Sequence, residues 1–318
     1  MIKVGIVGYG TIGKRVADAV LLQDDMELFG ITSRSWNYRI ESAIRKGIDV
    51  FPAKQKTLLL DNIDVVVDCT PRGTGAENKG LYKKHGVKAV FQGGENSEVG
   101  TSFVAQCNYD YAINDDFVRV VSCNTTGLCR TLNALDQNYT VEKVHATMIR
   151  RAADPWDIYH GPVNALVPHL VVPSHHGPDV RTILTDMEIF TTSVSVPTTL
   201  MHVHSIAVDL GSPVSVEDVV NLFQNTTRVR IVNNSDGIRS TAEIMEYAKD
   251  LGRDRGDMPE VCVWSDTIGV WGNKLLYMQA IHQESDVVPE NIDAIRAVTG
   301  SASSEESITK TNSSLRII

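Results

Sequence analysis

The chain lacks the features that would mark it as secreted, membrane-spanning or nucleic-acid-binding. It has five cysteines, Cys69, Cys107, Cys123, Cys129 and Cys262, and no CxxC pair among them. A disulfide framework is therefore excluded as the basis of a fold this size, and reduced thiols are expected. No short Cys/His cluster has zinc-ligand spacing, and the adjacent His175 and His176 do not define a metal site, so no metal is expected. No apolar run approaches the roughly 20 residues of a membrane span. A glycine turn close behind the first residue leaves no room for a signal peptide. The net charge of -9, with no long basic run, argues against nucleic acid or an anionic membrane as partner. There are no internal repeats. These absences point to a cytoplasmic chain whose 318 residues exceed what one hydrophobic core usually supports, so two domains are expected.

The most informative feature present is Gly8-Tyr9-Gly10-Thr11-Ile12-Gly13, directly behind the apolar run Ile2 to Val7. A strand, a glycine turn and then Ile12, Val16, Ala19 and Val20 at helical spacing form a dinucleotide-binding fingerprint. Gly8 turns the chain off the strand, Gly10 leaves backbone bare for a pyrophosphate, and Gly13 lets the helix pack closely. Thr11 and Ile12 lie between them, where the helix presents its amides.

Strand-like runs at Met26 to Thr32, Asp64 to Cys69, Lys88 to Phe91 and Phe117 to Ser122 then alternate with helical patterns at Tyr38 to Lys46 and Ala76 to His85. That alternation predicts a doubly wound parallel sheet. Two glycine-bearing loops, Thr70 to Gly75 and Gln92 to Glu95, fall where ligands bind such sheets, although ordinary turn chemistry explains them equally. The end of the second strand, Gly30-Ile31-Thr32-Ser33-Arg34, has no carboxylate for a ribose diol. Ser33 and Arg34 suit a 2'-phosphate instead, which favours NADP over NAD; a solvated Arg34 is the alternative.

From about Lys143 longer alternating segments take over: Lys143 to Ile149, Ile189 to Val196, Leu200 to Val208, Val261 to Ser265 and Lys274 to His282. They predict an antiparallel sheet with one covered face. Helices are expected at Val216 to Phe223, at Thr241 to Leu251 and from Glu290, with a further helix start at Ser303 to Glu306. The fold class is thus α/β plus α+β, a Rossmann NAD(P)-binding domain and a mainly antiparallel catalytic domain. The expected division is 1–122 with 290–318 against 123–289.

Within Val120 to Gly127 a strand runs through Ser122-Cys123-Asn124-Thr125-Thr126 into a helical pattern, placing a thiol at a helix N-terminus. The helix dipole and free amides there favour thiolate and can hold an oxyanion. A thiolate that adds to an aldehyde makes a hemithioacetal able to pass hydride to a nicotinamide and become a thioester. Histidine is the natural base for this chemistry, and nine compete for the role. His202 and His204 would share a face of one strand, so spacing does not choose between them.

With Arg150-Arg151-Ala152-Ala153-Asp154, Pro173-Ser174-His175-His176, Pro197 to His204 and His282-Gln283-Glu284-Ser285 added, the chain resembles the archaeal-type (type II) glyceraldehyde-3-phosphate dehydrogenases nearly end to end. The resemblance implies Cys123 as nucleophile and His202 as the catalytic histidine. It implies Ser122, Asn124, His175 and His176 around the aldehyde, and Thr11, Ile12, Gly93, Arg151 and Gln283 at the cofactor. Arg150 becomes the candidate for phosphate, with an ion pair to Asp154 as the alternative. The activity implied is reversible, phosphate-dependent oxidation of glyceraldehyde 3-phosphate by a homotetramer. A semialdehyde dehydrogenase with the same chemistry, or a non-catalytic NAD(P)-binding redox sensor, are the competing readings. The chain is shorter than the family's pattern near Ala53 to Leu60, and Arg72 and Cys129 depart from it.

Overall fold

The computed structural model describes residues 1–92, 94–154, 157 and 159–317. The chain folds as two units, the first made of Met1–Ser122 with Val287–Ile317 and the second of Cys123–Asp286.

In the first unit the chain runs β1 (Ile2–Val7), α1 (Gly13–Leu21), β2 (Met26–Ser33), α2 (Tyr38–Arg45), β3 (Val50–Pro52), α3 (Lys56–Leu60), β4 (Val65–Asp68), α4 (Thr74–His85), β5 (Lys88–Phe91), β6 (Thr101–Phe103), α5 (Ala105–Asn108) and β7 (Phe117–Val120). Among the described residues these strands form one sheet in the order β3-β2-β1-β4-β5-β7-β6. Every pairing is parallel. Central strands covered on both faces must be apolar throughout. Val65, Val66 and Val67 of β4 are accordingly inaccessible, as are Val4 and Ile6 of β1. The strand order reverses between β1 and β4, and ligands bind at the carboxyl ends beside such a reversal. The three-residue strands β3 and β6 are too short to carry a readable alternation. A short 3-10 turn at Ala53–Gln55 and the five-residue α3 occupy residues 53–60.

The second unit opens with α6 (Cys123–Tyr139), followed by β8 (Val141–Arg151), β9 (Val167–Pro168), α7 (His176–Val180), β10 (Ile189–Val196), β11 (His202–Leu210), α8 (Val216–Gln224), β12 (Val229–Val232), α9 (Thr241–Asp250), β13 (Val261–Trp264), β14 (Gly269–Trp271) and β15 (Lys274–Ile281). Its sheet runs β12-β13-β15-β11-β8-β10-β9, with β14 on β15. The sheet is mainly antiparallel, as expected, but mixed, since β8 pairs with β10, and β12 with β13, in parallel. Parallel neighbours need a crossover between them, and the segments carrying α7 and α9 supply it. Alternate residues of β11, from His202 and His204 to Leu210, are buried on one face. α6 packs against β8 and β15. Gly127 permits this approach, because a Cβ there would stand 2.7 Å from Ile281.

The chain closes in the first unit with α10 (Val288–Thr299) and α11 (Ser304–Leu315). α11 begins at a capping box in which Ser303 and Glu306 satisfy each other's backbone amides, as the Ser/Glu spacing predicts.

Candidate active site

The glycine turn of the first unit has the geometry a dinucleotide requires. Gly8 sits at φ +94°, and a Cβ on it would lie 2.9 Å from the Cys69 carbonyl oxygen. A Cβ on Gly13 would come within 2.0 Å of the Gly8 carbonyl oxygen, whereas one on Gly10 would meet nothing within 4 Å. The first and third glycines are thus fixed by packing, and the second faces open space. Ile12 is the N-cap of α1, and no side chain caps that helix. The Thr11 carbonyl receives Arg15 Nη1 at 2.9 Å. An uncapped helix start beside bare backbone fits an anionic pyrophosphate. Glu95 Oε1 accepts from the Gly73 and Gly75 amides at 2.8 and 3.0 Å, so the loops after β4 and β5 are tied together. Gly93 lies outside the described residues. At the end of β2, Ser33 Oγ donates to the Ser35 carbonyl at 2.9 Å and Arg34 is exposed. Arg72 is also exposed and donates to Asn96 Oδ1 at 2.9 Å.

Cys123 is the first residue of α6, and Ser122, immediately before it, ends the first unit. Asn124 Nδ2 lies 3.8 Å from Cys123 Sγ. Burial pushes the Cys123 thiol up to about 12 and Asp286 adds to that, while Arg151, Arg150 and the backbone N–H of Asn124 pull the other way. Desolvation therefore outweighs the helix start that leads the sequence to suggest a thiolate at rest.

Hydrogen bonding separates the two histidines of β11. His202 Nδ1 accepts from the Arg151 amide at 3.0 Å. A backbone N–H can only donate, so a neutral His202 carries its proton on Nε2 and can offer it to an oxyanion. Burial, then Arg151 and Arg150, hold His202 far below the ordinary imidazole value. His204 has both ring nitrogens engaged, Nε2 with Asn124 Oδ1 at 2.9 Å and Nδ1 with Gln279 Nε2 at 3.2 Å. Neither is left for a substrate.

His176, the first residue of α7, is buried, and His175, at its N-cap, is exposed; their rings lie 4.0 Å apart. Ser174 Oγ donates to Thr191 Oγ1 at 2.9 Å. Its contact with His176 Nδ1 at 3.0 Å must therefore be one it accepts, and this leaves a lone pair on His176 Nε2. Burial, with His175 and Arg150, lowers His176 to about 2.

The adjacent arginines have different surroundings. Arg151 is held by Asp154, by the Ala153 carbonyl at 2.9 Å and by Glu284 at 3.4 Å. The Gln283 amide oxygen, turned inward, also accepts from the Arg151 guanidinium. The ion pair with Asp154 thus belongs to Arg151 and not to Arg150. Arg150 Nε is buried with no hydrogen-bond partner among the described residues. A half-buried guanidinium with an unused donor out of water fits an anion that is still to arrive. Glu284, within the motif His282 to Ser285, joins the Arg151 network, whereas Gln279, beside His204, is singled out by no sequence motif. Gln279 faces His204 through strand register, which the sequence does not display.

Comparison with known proteins agrees with this geometry. Residues 122–279 match the model for the glyceraldehyde 3-phosphate dehydrogenase C-terminal domain, and residues 2–98 match that for the dihydrodipicolinate reductase N-terminus. Proteins named glyceraldehyde-3-phosphate dehydrogenase from Thermococcus kodakarensis and Pyrococcus furiosus are 54% and 53% identical, each over 100% of this chain and 99% of theirs. One from Methanobacterium bryantii is 49% identical over 100% of both. Identity at this level over the full length shows that this chain is a member of the archaeal glyceraldehyde-3-phosphate dehydrogenase family.

Proposed function

We propose that the chain oxidises D-glyceraldehyde 3-phosphate reversibly to 1,3-bisphosphoglycerate, with NADP or NAD as acceptor and inorganic phosphate as co-substrate. Cys123 Sγ adds to the aldehyde carbon, forming a carbon–sulfur bond and turning the carbonyl oxygen into an oxyanion. When bound, the nicotinamide supplies the hydride acceptor that converts this adduct to a thioester. Phosphate then attacks the acyl carbon, the carbon–sulfur bond breaks and the sulfur is released.

Each nearby side chain has a part in this reading. His202 Nε2–H and Asn124 Nδ2 donate to the oxyanion. Ser122, His175 and His176 border the aldehyde, and the thiol proton leaves to solvent as the sulfur adds. Arg150 binds a phosphate group. Thr11, Ile12, Gly93, Arg151 and Gln283 are the cofactor-binding residues of this reading. Ser33 and Arg34, with no carboxylate beside them, favour NADP. The observation that carries the proposal is the unused buried Nε of Arg150, because Cys123 and the histidines explain aldehyde capture without it but not the handling of phosphate.

The assembly proposed is a homotetramer in the cytoplasm. Tyr159, Val163, Leu166, Leu170, Val171 and Val172 are all exposed in one segment. An apolar stretch of this kind is unusual on a monomer's surface. The five cysteines are free thiols, in keeping with a reducing compartment.

The test follows NADPH formation with glyceraldehyde 3-phosphate, with and without inorganic phosphate. Strict phosphate dependence is expected. Turnover indifferent to phosphate would replace the proposal with a non-phosphorylating oxidation, and no turnover would support a redox sensor.

A further inference from the structure

A buried chain of hydrogen bonds runs from the interior of the sheet to the sulfur. Tyr277 OH donates to Thr131 Oγ1 at 3.0 Å, and Thr131 Oγ1 donates to Gln279 Oε1 at 2.9 Å. Gln279 Nε2 donates to the Gly127 carbonyl at 3.0 Å and lies 3.2 Å from His204 Nδ1. His204 Nε2 lies 2.9 Å from Asn124 Oδ1, and Asn124 Nδ2 points at Cys123 Sγ. The backbone fixes the direction of every link. A carbonyl can only accept, so the Gly127 oxygen forces the Gln279 nitrogen toward it and toward His204. His204 Nδ1 must then accept, its proton must sit on Nε2, and Asn124 must present its oxygen to His204 and its nitrogen to the sulfur. Strand register supports the order, since His204 and Gln279 are direct cross-strand partners on β11 and β15. His204, Gln279, Thr131 and Tyr277 are at most 1% exposed, so water does not compete for the bonds.

We infer that Gln279 and His204 are positioning residues whose bonds to the Gly127 carbonyl and to each other hold the Asn124 amide with its N–H toward Cys123, setting that thiol's reactivity. The inference rests on the reading of Cys123 as nucleophile. A fixed donor costs nothing to reorganise when negative charge forms on sulfur or on the adduct oxygen. A free amide at this place could present its oxygen to that charge just as easily.

The experiment is the pH dependence of Cys123 alkylation by iodoacetamide, located by peptide mass spectrometry, combined with 15N NMR of histidine-labelled protein. Asp286, Arg150 and Arg151 act on this sulfur and are kept in every variant; Gln279→Glu alone adds a carboxylate, and His204→Leu, which adds none, separates that charge from the relay. Wild-type His204 is expected as the Nε2–H tautomer. Gln279→Glu places an acceptor on His204 Nδ1 and turns the relay round, so that Asn124 Oδ1 faces the sulfur. Alkylation at fixed pH should fall at least about tenfold, as its midpoint rises by about one unit, and His204 should become the Nδ1–H tautomer. His204→Leu should slow alkylation as well. His204→Gln, which can donate to Asn124 and accept from Gln279, should restore it to within about twofold of wild type.

An Nδ1–H tautomer in the wild type, or equal alkylation in all variants that retain a native circular-dichroism spectrum, would overturn the inference. Should a variant fail to fold, the wild-type tautomer still decides the direction of the relay. Full turnover in Cys123→Ser would instead defeat the nucleophile reading, and the tautomer would remain as measured.

Discussion

Each unit holds an arginine among polar side chains, Arg296 fully buried and Arg150 half-buried with its Nε out of water, and the two are in opposite states. Arg296 of the first unit is fully buried and its guanidinium is saturated: Asp25 takes Nε and Nη2 at 2.8 Å, Gln23 takes Nη2 at 2.8 Å and Thr311 takes Nη1 at 2.8 Å. Asp25 is correspondingly lowered, chiefly by its hydrogen bond to Arg296. Arg150 of the second unit keeps a buried Nε without a partner among the described residues. A satisfied buried charge holds a fold in one arrangement, whereas an unsatisfied one costs stability and is explained by a ligand. Polarity in the first unit is structural at this point, and in the second it is held ready for chemistry.

Breaking the comparison from the catalytic side should give the largest effect. Cys123→Ser is expected to reduce turnover by about a thousandfold or more, measured as NADPH formation, while cofactor binding followed by fluorescence persists. Arg150→Met should reduce kcat/KM by roughly a hundredfold, the scale of losing a charged hydrogen-bond partner, with a melting temperature at or above that of wild type. Arg296→Met should do the reverse. It leaves half-buried Asp25 with only Lys310 at 3.6 Å and removes the donor that Gln23 and Thr311 share, and should cost about 2 kcal/mol in denaturant unfolding, with kcat unchanged in the protein that remains folded. Loss of stability on replacing Arg150, or none on replacing Arg296, would erase the distinction.

pH sharpens the same contrast. His176 is lowered to about 2, His204 to about 3, and His202 lies well below its usual value, all chiefly through burial. These folded-state values lie below those of the unfolded chain. The stability they confer is therefore present above about pH 6.5 and declines as the pH falls, because the unfolded chain takes up protons the folded one refuses. Three such groups give a limiting slope of about 4 kcal/mol per pH unit. Hydrogen exchange should accelerate in β11 and α7 between about pH 6 and 5, before it does in β1, β4 and β5. Asp25, lowered in the folded state, contributes above about pH 4 and is lost only below it. The smallest effect expected is on cofactor choice: Arg34→Ala should raise the KM for NADP about tenfold and leave that for NAD little changed.

Much of the fold was legible in the sequence, for reasons that differ between the units. The glycine turn could be read because each glycine answers a local demand, and the observed clashes at Gly8 and Gly13 are those demands. The strands β5 and β10 begin and end where their apolar patterns do. The parallel pairings in the second sheet were hidden, since alternation reports a covered face and carries no strand direction. His202 and His204 were indistinguishable for a related reason. They share a face, and what separates them is the Arg151 amide on one and Gln279 with Asn124 on the other, bonds made across strands and from α6. The thiol's suppression was equally invisible, because a helix start can be read locally and desolvation cannot. Arg150 and Arg151 are neighbours in sequence, and only the positions of Asp154, Glu284 and Gln283 show which of them is occupied.

The most direct test of Cys123 as nucleophile is to incubate the protein with glyceraldehyde 3-phosphate and NADP in the absence of phosphate, quench with acid and map the acylated peptide by mass spectrometry. The expected result is an acyl thioester on Cys123 that disappears when phosphate is added, with 1,3-bisphosphoglycerate released in equal amount. An acyl group on another residue, or phosphate-dependent turnover persisting in Cys123→Ser, would contradict it.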